Sequence, residues 1–328
     1  MAVQNGFDTE KLVAAFGAYY NGRITRKELH DQIFTTSDIK NRFNTIPTDK
    51  TVIDHVNLVM TKVLQPFYAN FSHKGDLDFE PNTFKLDRVK INHANTPDEL
   101  YDTALNFLVQ KGVYRTDAPV ARIVGEYLIR KAKEDDEEDV AFFGVRALPT
   151  QQQQELGVAG TTEGSRDGIR KKIRDYNTAG DSKIVALGAP PATAKEFVEY
   201  VREFYQSIPE KFRKYIDGIE ISEGKKDLYA DGMDEKYNVN YKRETDLMRV
   251  HNTSCNVHFH RAMTGSDMIW ASFPMNRRGY IKGAANKSVF NVKDPDIYKV
   301  KFATDWAETY DFVTGKYIWH NDQDLVDA

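Results

Sequence analysis

Hydrophobic and polar positions change period several times along the chain, and each change marks a boundary. Residues 7–66 carry helical spacing. Leu12, Val13 and Phe16 share one face, with Tyr19 and Tyr20 following, and Val52, Val56, Val59 and Val63 form a second stripe that Pro66 closes. Thr25 and Glu28 in TRKE have the spacing of a capping box. After Pro66 the pattern becomes alternating: Leu77 with Phe79, then Phe84 with Leu86, after which Val89 and Ile91 resume on the other parity. A one-residue slip moves side chains to the opposite face, so a bulge is expected at Asp87–Arg88. Glu80-Pro81-Asn82 suits a turn between two strands. The stretch is therefore expected to be a polar hairpin, more a projecting arm than part of a core sheet.

Helical spacing returns in TPDELYDTALNFLVQKG, with Pro97 in its first turn. A longer helix follows, capped by Thr116 or Asp117, whose buried face holds Val120, Ile123, Val124, Tyr127 and Leu128. It runs on into KEDDEEDVAFFG. The acids from Glu134 to Asp139 cover every face of a helix and oppose its macrodipole. They read as a solvated helix end, or as a surface that meets basic side chains of another subunit. A hard-cation site would want loop spacing and a glycine turn, which this run lacks.

Residues 148–168, polar and glycine-containing, read as a long mobile loop. No Gly-Lys-Ser/Thr and no GxGxxG accompany its glycines, so a phosphate loop is excluded. Beyond Asp167 short strands and helices alternate. KIVALG (183–188), GIEIS (218–222), LMRVHNTSCNVHFH and DMIWASFP are predicted strands. Ala192–Gln206 is an amphipathic helix with Phe197, Val198, Val201, Phe204 and Tyr205 inward, and Ser207 to Glu210 is expected to cap a second helix, EKFRKYI. Tyr298, Val300 and Phe302 alternate with lysines as a half-buried strand, and DWAETYDF and KYIWHN complete an α+β chain.

The length of 328 residues suggests two domains, or one with long excursions. A hydrophobic share of 41% with 29% charged residues marks a globular protein, and a net charge of −4 argues against a dedicated nucleic-acid binder. The single cysteine excludes an internal disulfide and suggests a reducing compartment. No apolar run reaches the length of a membrane span, and MAVQNGFDTEK lacks the basic and apolar regions of a signal peptide. Folding in the cytoplasm of the producing cell is expected.

The densest candidate chemistry is HNTSCNVHFH, His251 to His260. On a strand His258 and His260 point to the same face, as two metal ligands do, and His251 or Cys255 could supply a third. No HExxH and no suitably spaced glutamate accompany them, and Cys255 sits in no nucleophile motif. Catalytic, cofactor-binding and metal residues are therefore all expected to be none. Residues 24–44 have the look of a helix-turn-helix, a pattern that is commoner as plain helix packing.

The order of parts carries more information. QPFYANFSHKGDLDFEPNTFKLDRVKI with TPDELYD, APVARIVGEYLIRKAKEDDEEDVAFFG, EFVEYVREFYQSIPEKFRKYIDGIEIS, SDMIWASFPMNR and YKVKFATDWAETYDFVTGKYIWHND span most of the chain from Gln65 to Asn321. They resemble the major capsid proteins of tailed bacteriophages (the Hong Kong ninety-seven-type fold), in the version found in crAss-like and related phages of Bacteroidota hosts. The resemblance implies an α+β capsid fold with a helical N-arm over 1–66, an extended loop and following helix over 67–115, and a peripheral domain with its spine helix over 116–160. It further implies an axial domain over 161–275 and a return to the peripheral domain over 276–328.

The implied function is that of a virion shell protein, assembling into hexamers and pentamers around double-stranded DNA, with no enzyme activity and no cofactor. The implied partners are other copies of the chain, a portal, auxiliary or decoration proteins, and weak lumenal contact with DNA, but no membrane. Glu134–Asp139 and the basic stretch Arg170–Arg174 are candidate matched patches between subunits. Lys74, Lys85 and Lys90 lie where some members cross-link, but nothing marks one as reactive. The competing readings are an encapsulin-like nanocompartment shell, a metal-dependent enzyme using His258 and His260, and a DNA-binding regulator using residues 24–44.

Overall fold

Strands dominate where the chain leaves its first helical pattern. The structure, a computed structural model, describes residues 37–60, 62–67, 69–95, 119–239, 248–282, 291–296 and 299–325. The helices expected over 7–36 and 97–111 lie outside the described residues. A single 3-10 turn at Lys40–Arg42 leads into β1 (Asn44–Thr48), and β2 (Val52–Met60), β3 (Leu77–Lys85) and β4 (Asp87–Asn95) follow. Helix α1 (Pro119–Asp135) ends in a π-turn, Asp136–Val140. Then come α2 (Gln151–Glu155), α3 (Ile169–Thr178), β5 (Lys183–Val185), α4 (Ala194–Ser207), α5 (Glu210–Arg213), β6 (Gly218–Ser222) and α6 (Lys226–Tyr237). The remaining strands are β7 (Asn256–His260), β8 (Trp270–Ser272), β9 (Arg277–Lys282), β10 (Asn291–Asp296), β11 (Lys299–Phe312) and β12 (Ile318–Asn321).

Among the described residues these form two mixed five-stranded sheets and one ribbon. The first sheet is built on β11, which pairs antiparallel with β4, β10 and β9, while β1 adds to β9 in parallel. The second has the order β5-β12-β8-β6-β7. Helices α4 and α6 pack on the second sheet through Phe197, Val201, Phe204, Tyr229, Ile219 and Val257, each worth about 1.5–3 kcal/mol when fully buried. The helices approach closely because position 232 is glycine: a Cβ there would stand 2.1 Å from the Ala194 carbonyl oxygen. A second apolar cluster joins the sheets, with Phe43, Phe142, Ile173, Trp270, Phe312 and Ile318 at its centre.

Several expectations are corrected. Residues 44–48 and 52–60 are strands, not helix. Val52 and Val56 are four apart, which satisfies a period of two as well as one of 3.6, and the β-branched content of VIDHVNLVM decides for the strand. Glu80-Pro81-Asn82 is not a turn. It lies inside β3, which pairs antiparallel with β2 over its whole length, Pro81 opposite Val56. Proline is tolerated because both strands of a two-stranded ribbon are edges. The parity slip after Leu86 is real, but it marks the passage from this ribbon into the first sheet, where β4 pairs with β11. Within 148–168, Thr150 and Gln153 form a capping box that opens α2. Ser207 does not cap α5; its hydroxyl donates back to the Glu203 carbonyl at 2.8 Å, and Pro209 holds the N-cap position. Of LMRVHNTSCNVHFH only Asn256–His260 is a strand, because the chain turns at Asn252, where φ is 56°.

Candidate functional site

The histidine-rich stretch separates into distinct environments. His251 stacks on Tyr237 with ring centroids 3.6 Å apart. The Cys255 thiol is buried, and burial reinforced by Asp217 and Glu220 pushes its pKa up to about 12, so it is no nucleophile. His258 and His260 share a face of β7, toward Glu220. His260 Nε2 lies 2.5 Å from Glu220 Oε2. The buried Nε2 of His258 has no hydrogen-bond partner, and burial holds its pKa below the ordinary value, Glu220 opposing and Arg42 assisting.

Glu220 is fully buried in the middle of β6, and cations already occupy it. Arg42 Nε donates to Oε1 at 3.0 Å and Arg277 Nη1 at 2.7 Å. Asp217 accepts from the same two guanidinium groups at 2.6 Å each. Burial alone would raise the Glu220 carboxyl, yet His260, Arg42 and Arg277 together hold it well below the carboxylate range. Arg42 and Arg277 lead into strands of the first sheet, whereas Asp217, Glu220 and His260 belong to the second. The cluster is therefore an ionic joint between the sheets. Among the described residues no three or more His, Cys, Asp or Glu are grouped to hold a metal ion.

A second buried cluster lies at the end of α1. Lys40 Nζ is 2.5 Å from Asp136 and 3.1 Å from Glu308, and Arg166 is 2.7 Å from Asp136 and 3.0 Å from Glu308. Burial would raise the Asp136 carboxyl, but Arg166 and Lys40 hold it low. A third cluster fixes the start of β4: Arg146 pairs with Asp87, and the Asp167 amide donates to Asp87 at 3.2 Å.

These clusters change the reading of both candidate patches. In the acidic run, Asp136 points inward, Lys131 takes Glu134 and Asp135 at 3.1 Å each, and Glu138 stays exposed. The basic stretch Arg170–Arg174 is spent inside the subunit. Arg170 lies over Phe143, Lys171 pairs with Asp175, Lys172 is 3.4 Å from Asp311, and Arg174 is buried. It is not a free patch. Of the helix-turn-helix reading, 24–36 lies outside the described residues, and Lys40–Arg42 is one 3-10 turn ahead of a strand.

The β2–β3 ribbon is a two-stranded sheet with one face turned to the subunit and one to solvent. Its inner face holds Ile53, His55, Asn82 and Phe84. His55 meets the Tyr280 hydroxyl, and Asn82 Nδ2 donates to the Phe312 and Val313 carbonyls at 2.9 and 3.0 Å. Its outer face presents Val52, Val56, Leu77 and Phe79 to solvent, and the connecting segment exposes Leu64, Phe67 (98%) and Phe71 (94%). Such apolar exposure on a ribbon marks an interaction surface. Lys74 donates to the Leu64 carbonyl, and Lys85 and Lys90 are exposed. The two faces differ because only the pairing of β2 with β3 sets which residues turn inward.

A chain of the satellite phage P4 procapsid, solved with the size determination (Sid) protein, matches with a TM-score of 0.53 at 14% identity, covering 90% of this chain and 98% of that one. The capsid of an empty GTA particle matches with a TM-score of 0.55 at 11% identity, over 87% and 89%. The fold is that of phage capsid subunits. The capsid of Myoviridae phage XM1 agrees, with a TM-score of 0.50 at 10% identity over 87% and 90%. No protein-family model and no curated protein matches the sequence. None of the described helices is long and apolar enough to cross a membrane.

Proposed function

We propose that this chain is the major capsid protein of a tailed phage, a structural subunit that assembles into hexamers and pentamers of an icosahedral shell around double-stranded DNA. The observation that carries the reading is the capsid fold over nine-tenths of the chain together with an outer ribbon face that has no partner among the described residues. A two-stranded ribbon is marginal alone, so an apolar outer face calls for a neighbouring copy to cover it.

In this reading the ribbon of 52–85 is the extended loop, α1 with its π-turn is the spine of the peripheral domain, and the second sheet with α4 and α6 is the axial domain. Residues 161–275 supply most of that domain, and β12 returns to it. The segment before β1 is the N-arm. The likeness to crAss-like phages of Bacteroidota hosts rests on the quoted sequence stretches. Folding in the host cytoplasm, residence in the virion, a portal partner and weak contact with packaged DNA belong to the same reading. Size-exclusion chromatography with negative-stain electron microscopy of the expressed chain tests it. Rings or closed shells are expected. A chain that stays monomeric or dimeric across salt and concentration overturns it.

A further inference from the structure

The two ends of the second sheet differ in chemistry. Strand β6 runs about 16 Å. Before it, α5 and Tyr215 meet the end of β8 and the start of β12, as the pairing of Ile219 with Ala271 and of Ile318 with Ser272 requires. Here Phe212, Tyr215, Phe273 and Tyr317 form one aromatic cluster, with Phe273 and Tyr317 stacked at 4.8 Å and Tyr215 against Phe273 at 5.6 Å. Tyr215 is 54% and Met275 80% exposed. Lys211 and Lys214 lie over the rings of Phe212 and Tyr215, 4.6 and 4.8 Å from the centroids, and neither forms an ion pair among the described residues. Aromatic rings and methionine held rigidly at a surface are what interface centres are made of.

The opposite end of the same strand is acidic. Glu223 follows β6, and Arg261 follows β7, its parallel neighbour. The π-turn after α1 packs against the Arg261–Met263 turn, bringing Glu137 and Glu138 to this end. Asp38, Glu138 and Glu223 are exposed, and none of them forms an ion pair among the described residues. Burial, Asp38, Asp136 and Glu223 raise the Glu137 carboxyl above its ordinary value, and Arg261 opposes them only in part. Among the described residues the negative charge at this end is compensated only in part, by Arg261.

We infer that the aromatic–lysine end of the second sheet, centred on Tyr215, Phe273, Lys211 and Lys214, docks a second copy of this chain through that copy's acidic end at Glu138 and Glu223. Charge complementarity selects the occupant. Because the two patches lie at opposite ends of one strand, the contact is head-to-tail, the kind that closes into rings when the rotation permits. The inference rests on the assembly reading above, and it names the residues that hold neighbours together.

The test uses the full chain in three forms: K211E/K214E, E138K/E223K, and the variant carrying all four changes. Sedimentation velocity and negative-stain microscopy read the assembled fraction. Each double variant is expected to lose assembly at least about tenfold, roughly the 1.4 kcal/mol that lost charge pairs of this kind supply per contact, and the fourfold charge swap is expected to restore it. Circular dichroism checks that each variant is folded. Double variants that assemble like the unaltered chain overturn the inference, as does a charge swap that fails to recover. Loss of DNA binding by K211E/K214E with assembly intact also overturns it, in favour of packaged DNA as occupant. An unaltered chain that goes no further than dimers, yet loses them in both double variants, would sink the capsid reading and leave this contact standing.

Discussion

Replacing Glu220 by glutamine removes one charge from the joint between the sheets and almost nothing else. The carboxylate is fully buried and accepts from Arg42, Arg277 and His260 at 3.0, 2.7 and 2.5 Å. Breaking a buried ion pair from one side costs about 3–5 kcal/mol, because the partner charge stays buried. Asp217 remains bonded to both guanidinium groups but is one-third exposed, so it offsets only part of the loss. About 3 kcal/mol of destabilisation at neutral pH is expected. Urea denaturation followed by tryptophan fluorescence measures it, since Trp270 and Trp319 are buried near the joint.

The pH dependence gives a second reading. The folded carboxyl is held below its reference value of 4.5, so its stabilisation is complete above about pH 5 and is lost as pH falls through the folded value. The advantage of the unaltered chain over E220Q should therefore shrink below pH 4.5, by at most ~1.4 kcal/mol per pH unit. Equal stability at pH 7, or a gap that widens on acidification, would refute the ionic-joint argument.

Three other outcomes are expected. G232A should lower stability by about 1–3 kcal/mol despite its better helix propensity, because the new methyl meets the Ala194 carbonyl and Val198; a stabilised variant would show that α4 and α6 are not in close contact. Cys255 should react slowly with a disulfide reagent in the native chain and rapidly in denaturant, and comparable rates would contradict its burial. The V56S/F79S double variant should keep its folding stability within about 0.5 kcal/mol per site and lose assembly, as read by sedimentation; unchanged shells would remove the ribbon's outer face from the interface.

The part of the fold legible in sequence was the part governed by local periodicity. Helix α4 announces itself because five apolar residues repeat at helical spacing, and all but Tyr205 are fully buried. GIEIS was readable as a strand for its β-branched residues. The β2–β3 pairing was not, because VIDHVNLVM fits two periods and its partner lies across a long connection. The ionic joint left a faint signal, an acid in the middle of a buried strand: Glu220 in GIEIS, and likewise Glu308 and Asp311 in ETYDF. An acid in a buried strand demands a cation, but nothing local says that Arg42, 178 positions away, supplies it.

Lys40 and Arg42, two residues apart on one turn, reach different acid clusters. Lys40 enters the cluster of Asp136 and Glu308 beside α1 and β11, and Arg42 enters that of Asp217 and Glu220 in the second sheet. One short segment is thus tied to both sheets by buried charges that would be costly to separate from their clusters. The ribbon that follows is tied along its inner face, by His55, Asn82 and Phe84, while its outer face leaves Val52, Val56, Leu77 and Phe79 open beside Asp54 and Thr83. Strong internal fixation and an unsatisfied surface belong together in a subunit that must meet its neighbours as a rigid body. Buried charge resists repacking, since an ion displaced from its cluster would be left without a counterion, so contacts at the ribbon and at the sheet ends can form without loosening the joint. A subunit whose sheets were joined by apolar contacts alone would have no such directional restraint, and its outer surfaces would be held less reproducibly relative to one another.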